Sequence, residues 1–183
     1  RPPRSTLFPY TTLFRSLAAA DVHVNCDGGG SLQRAIAVAR PGATILVRGT
    51  CNENVTIPAE KARITLEGAG SATISGAVAN LPTVSIQGRD VTIRGFAVTG
   101  GYDGIEVARG GAALIDGNVV RGNGNFGISL VHDASATIVN NVVRENANAG
   151  IAISSSSSAW IGFVSFQDAA PSPNQITDNG QQR

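Results

Sequence analysis

A 23-residue repeat constrains this chain more than any other feature. Gly101-Tyr-Asp-Gly-Ile-Glu-Val107 is followed 23 residues later by Gly124-Asn-Phe-Gly-Ile-Ser-Leu130, and after 23 more by Ala147-Asn-Ala-Gly-Ile-Ala-Ile153. Gly104, Gly127 and Gly150 align, as do Ile115, Ile138 and Ile161. Asn118-Val-Val-Arg-Gly-Asn123 aligns with Asn141-Val-Val-Arg-Glu-Asn146. A further copy, Asn174-Gln-Ile-Thr-Asp-Asn179, arrives after 33 residues, so one turn between Phe163 and Pro173 has grown by ten. Upstream, Val91-Thr-Ile-Arg-Gly95 stands 22 residues before Ala113-Leu-Ile-Asp-Gly117. A fixed period of this length marks a solenoid, whose units bury their apolar faces only against their neighbours.

Each copy holds three short alternating runs: Ile105/Val107, Leu114-Ile115 and Val119-Val120, bounded by Gly, Asn or Asp. Those boundary residues accept the left-handed backbone that tight corners require. Strands rise about 3.3 Å per residue, so 22–23 residues close only a narrow three-sided coil. The spacing therefore predicts an all-β, right-handed parallel β-helix; the Leu framework of a leucine-rich repeat is missing. Aromatics are only 5% of the chain, which leaves Val, Ile, Ala and Leu to build the core. Asn118, Asn141 and Asn174 are expected to stack coil above coil as a structural amide ladder. Ser31-Leu-Gln-Arg-Ala-Ile-Ala-Val-Ala-Arg40 reads as a short helix with Ser31 as N-cap and Pro41-Gly42 as its stop. Such a helix suits the first coil, whose open strand edge needs a cover.

The first sixteen residues, Arg1 to Ser16, look like the in-frame translation of a common DNA-sequencing library adapter, and the chain contains no Met. They are set aside from the fold as a non-native segment. Without Arg1, Arg4 and Arg15 the remaining 167 residues carry 11 basic against 13 acidic side chains. That balance gives no footprint for nucleic acid or an anionic lipid surface. No apolar run is long enough to span a membrane. Residues 17–20, Leu-Ala-Ala-Ala, fit the tail of a secretory signal peptide; an Ala-rich linker is the alternative. Cys26 and Cys51 flank the first strands and are disulfide candidates, as secretion would permit, or else two unrelated buried thiols. The β-helix domain is thus expected over 21–183. It ends at Gly180-Gln-Gln-Arg183, where another strand should begin, so the native protein is expected to continue.

The resemblance to a known group rests on particular blocks. Ser31-Leu-Gln-Arg-Ala-Ile, Pro41-Gly-Ala-Thr-Ile-Leu-Val, Gly49-Thr-Cys-Asn-Glu-Asn-Val-Thr-Ile57 and Ile64-Thr-Leu-Glu-Gly-Ala-Gly70 resemble the opening of secreted bacterial right-handed β-helix proteins of the pectin-lyase-like superfamily. Residues 101–180 resemble that superfamily's repeats. The resemblance implies the fold strongly and an activity weakly, because lyases, hydrolases, epimerases, esterases and adhesins share it. Lyases of this group need a basic residue as base and acids that place Ca²⁺; hydrolases need clustered aspartates. The chain has one lysine, Lys61, and no Asp-Asp, Asn-Thr-Asp or Gly-His-Gly triplet. His132-Asp133 is the remnant nearest to an epimerase motif, but it falls at a turn position of the repeat. Gly122-Asn-Gly-Asn-Phe-Gly127 matches a dinucleotide fingerprint, yet a strand follows it where that site needs a helix. The sequon Asn54-Val-Thr56 is accounted for by the block that contains it.

The candidate ligand contacts are few. Arg121 and Arg144 form the only like-charged pair that the repeat spacing places at one coil position, which suits an acidic sugar polymer; Glu145 beside them is the simpler partner. Arg94 and Asp116 are expected to pair across coils. Asp103 and Glu106 flank one strand start and could hold a cation, and Trp160 could stack on a sugar or pack under the insertion. The expected role is a secreted or cell-surface bacterial protein that binds extracellular polysaccharide without a complete active site in this stretch. The alternatives are a polysaccharide lyase or glycoside hydrolase with catalytic coils further on, and a structural or adhesive solenoid. No cofactor or metal is evident, and Ca²⁺ enters only if the protein is a lyase.

Overall fold

The computed structural model describes residues 21–165 and 170–180. The adapter-like segment, the signal remnant and the last three residues lie outside them. From Thr44 onward the chain winds in about six coils, all strand pairing being parallel. Face A is built by Val22–Asn25, Thr44–Arg48, the first halves of Thr65–Ser75 and Val91–Thr99, then Ala112–Asp116, Ser135–Val139 and Ser158–Ile161. Face B takes Thr50–Asn52, the second halves of the two long strands, Val119–Arg121, Val142–Arg144 and Gln175–Thr177. Face C is the separate five-stranded sheet Val55–Ile57, Val84–Ile86, Ile105–Val107, Ile128–Leu130 and Ile151–Ile153. This is the parallel β-helix that the repeat predicts. The strand Ile128–Leu130 directly follows Gly127, so the glycine fingerprint opens no helix.

Period-two alternation sends one residue in two into the interior, where it meets the same position of the next coil. Ile45, Leu66, Ile93, Ile115 and Ile138 stack in one such column, each fully buried. Each contributes roughly 2–3 kcal/mol of apolar burial. The column ends at Ile161, 42% exposed, because no further coil covers it among the described residues. Ile153 and Ile176 are open for the same reason.

The first coil is covered as expected, by α1, Leu32–Val38, which buries Leu32, Ala35 and Ile36. Seven residues are too few to hold a helix alone, and coil one clamps both ends. At the start, Ser31 Oγ accepts from Arg34 N, while the Glu53 carboxylate accepts from Ser31 Oγ at 2.9 Å, Leu32 N at 2.6 Å and Gln33 N at 3.3 Å. At the other end Lys61 Nζ donates to the carbonyls of Ala37 and Ala39. Cys26 and Cys51 are joined in a disulfide that closes a 25-residue separation beside this clamp, contributing on the order of 3 kcal/mol.

Candidate functional site

The corners carry the polar chemistry. At the A–B corner Asn118 Nδ2 donates to Asn141 Oδ1 at 3.1 Å, and Asn141 Nδ2 to Asn174 Oδ1 at 2.9 Å. The ladder therefore has the members read from the sequence. A second ladder, Asn123–Asn146–Asn179, runs along the B–C corner with Nδ2···Oδ1 distances of 2.8 and 2.9 Å. The two bracket face B, so the spacing Asn-x₄-Asn in each copy encodes a strand held at both ends. A third line was not anticipated: Asn148 Nδ2 donates to Asn125 Oδ1 at 2.7 Å, and Asn125 Nδ2 to Asp103 Oδ1 at 2.8 Å.

Asp103 is buried and also accepts from Phe126 N and Ser129 Oγ. A carboxylate only accepts, so it terminates a line of amides each of which must both donate and accept. Glu106, half-buried on face C, accepts from Ser85 Oγ at 3.0 Å. The donors on both Asp103 oxygens and on Glu106 Oε1 count against the cation expected there. Among the described residues the sole three-ligand grouping is Cys26, Cys51 and Glu53, whose sulfurs are bonded to each other.

Arg121 and Arg144 are direct partners across adjacent strands of face B, about 4.8 Å apart at the backbone. Arg144 is ion-paired with Glu145, whereas Arg121 has no carboxylate within ion-pair distance among the described residues. Arg94 and Asp116 do face each other in register, but the expected pair is not formed. Arg94 bonds Glu67 on the preceding coil instead, and Asp116 accepts from Asn140 Nδ2. Arg94 sits between two acids one coil apart and can satisfy only one closely.

Trp160 occupies the row of Thr92, Leu114 and Thr137 on face A, 43% exposed. It borders a shallow groove of about 550 Å³ together with Ser135, Ser158 and Val164, so the indole lies beside the start of the insertion. His132 and Asp133 are exposed in a left-handed turn, φ 58° and 60°, as the repeat position predicts for a solvated corner. Asn54 is occupied structurally: its amide donates to the carbonyls of Val78 and Pro82 and its oxygen accepts from Val78 N.

Residues 43–181 match the family model described as the right handed beta helix region. Curated proteins give no match. Among solved structures, an alginate lyase from Paenibacillus sp. str. FPU-7 is similar with a TM-score of 0.60 at 20% identity, covering 74% of this chain and 50% of the lyase. The chain thus spans about half the length of that lyase, and at this identity the likeness concerns the fold. With parallel coils, corner ladders and a family match from the first coil to the last, the chain belongs to the right-handed β-helix family.

Proposed function

We propose that this β-helix is a secreted or cell-surface bacterial protein that holds an acidic extracellular polysaccharide along its coils. The observation that carries this reading is the registered pair Arg121 and Arg144, with the Arg121 guanidinium unpaired among the described residues. Like charges on neighbouring strands repel, so the pair gains when an anion bridges it. A carboxylated sugar offers bidentate acceptors to guanidinium. The likeness to an alginate lyase supports an acidic glycan over a neutral one. The acidic balance of residues 17–183 speaks against nucleic acid as the partner.

Each partly exposed guanidinium–carboxylate contact contributes about 1 kcal/mol. Arg121→Gln with Arg144→Gln is therefore expected to weaken alginate or polygalacturonate binding about thirtyfold, with thermal stability unchanged or slightly raised. Calorimetric titration of the double variant checks this, with cello-oligosaccharides as the neutral comparison. Undiminished binding, or equal binding of the neutral sugar, would sink the proposal.

A second reading, a polysaccharide lyase or hydrolase, draws on one observation: the chain covers only half of the structurally similar lyase. On that reading the catalytic groups belong to coils beyond those described, and any Ca²⁺ would be held there.

A further inference from the structure

We propose that face B carries an extended sugar track, formed by Asn52, Ser75, Thr99, Arg121 and Arg144, along which an acidic polysaccharide lies parallel to the coil axis. The inference rests on the polysaccharide reading above and extends the arginine pair into a site of defined length and direction.

Strand register places the five residues in one outward row. Asn52 pairs with Ser75, Ser75 with Thr99, and Arg121 with Arg144. Val120 pairs with Val98, so Arg121 continues the row from Thr99. Five positions at a strand spacing of about 4.8 Å span about 19 Å along the axis. The adjoining outward row, Thr73, Ala97, Val119 and Val142, is short and half-buried, which gives the track a low shoulder. On the other flank Gly76, Gly100 and Gly122 follow Ser75, Thr99 and Arg121, so no side chain walls off that stretch.

The donors of this row are unspent. Among the described residues the side chains of Asn52, Ser75, Thr99 and Arg121 take part in no hydrogen bond or ion pair, and that of Arg144 engages only Glu145. The other faces differ. On face A the row Glu67, Arg94 and Asp116 is closed by the Arg94–Glu67 pair and by Asn140 on Asp116. A second face A row, Thr44, Thr65 and Thr92, carries hydroxyls without charge, and Leu114 interrupts it. On face C, Ser85 donates to Glu106 and Ser129 to Asp103. Face B thus combines amide, hydroxyl and guanidinium donors in one row of consecutive coils. A polyuronate suits that combination: its carboxylates reach the arginines while hydroxyls of the following rings lie over Thr99, Ser75 and Asn52. Each ring of an extended chain advances by roughly one coil. A nucleic acid fits less well, because neither outward row of face B holds an aromatic residue to stack on bases.

The test titrates the full chain with alginate oligomers of increasing length. Affinity should rise about tenfold from trimer to pentamer, as Ser75 and Asn52 come into reach, and level off beyond. Ser75→Glu places a carboxylate in the row, so it should abolish that gain and leave trimer binding within about threefold. Asn52→Glu, at an exposed position, should lower pentamer binding alone, and it serves if Ser75→Glu does not fold. Thr56→Glu adds the same charge on face C and should bind like wild type. Equal trimer and pentamer affinities, or an Asn52→Glu chain that matches wild type, overturn the track and leave the arginine pair standing. Losses in Thr56→Glu as large as in Ser75→Glu overturn the assignment to face B. Failure of the wild-type chain to bind any oligomer overturns both readings. An equal gain with cello-oligosaccharides overturns the acidic assignment.

Discussion

Asn141→Leu is expected to destabilise the fold by about 4 kcal/mol, the largest effect of any single polar substitution in this chain. The Asn141 side chain accepts from Asn118 N at 2.9 Å and Asn118 Nδ2 at 3.1 Å. It donates to the carbonyls of Ile115 and Val139, both at 2.8 Å, and to Asn174 Oδ1 at 2.9 Å. Leucine keeps the branched skeleton, so the loss combines the missing hydrogen bonds with bulkier methyls forced into hydrogen-bond spacing. Asn118 and Asn141 are each only 1% exposed, and water cannot replace the missing partners. Asn174→Leu provides the contrast. That side chain is half-buried at the end of the ladder, and its loss should cost about 1 kcal/mol. Urea unfolding of the two variants should show midpoints well separated; equal midpoints would contradict the ladder account.

Gly127→Val should cost about 3 kcal/mol or more, by overpacking. A Cβ at this position would lie 2.4 Å from Val143 Cγ1, 2.7 Å from the Gly150 carbonyl and 2.8 Å from Asn146 Nδ2. Each of these belongs to the next coil and is fixed by its own column or ladder. Gly104 and Gly150 meet the same crowding, which is why glycine recurs every 23 residues at the entry to face C. Gly124 differs: its nearest neighbour would be 3.6 Å away. Gly124→Val should therefore change stability by less than about 0.5 kcal/mol. Chemical unfolding of both variants is the check, and comparable losses would mean that the repeated glycine is not sterically required.

These two cases show why much of the fold was legible from the residues. An inward Val, a corner Asn and a close-packed Gly recur only where successive coils are identical, so residues 101–153 disclose their contacts through their spacing. The same logic located Asn118, Asn141 and Asn174 and set Arg121 against Arg144, whereas α1 was legible from its Ser31 cap and Pro41-Gly42 stop. What stayed hidden depends on contacts across coils rather than along the chain. Glu53 reaches α1 across more than twenty residues, and a helix cap supplied from another coil leaves no local motif. Asp103 resembled a cation ligand because it and Glu106 flank one strand start. Its true partners, Asn125, Phe126 and Ser129, come from the following coil. The Arg94 partner was missed because the repeat supplies two acids, Glu67 and Asp116, and register alone does not choose between them.

The central functional claim is that this rod recognises repeated negative charge on a sugar polymer. Calorimetric titration of the unmodified chain with alginate oligomers, at low and at high salt, tests it most directly. Exposed guanidinium contacts are screened over about 8 Å at physiological ionic strength. The account predicts saturable binding at low salt that weakens steeply as salt rises, with no heat from cello-oligosaccharides under either condition. Binding of alginate that is indifferent to salt, or no binding at low salt, would contradict it.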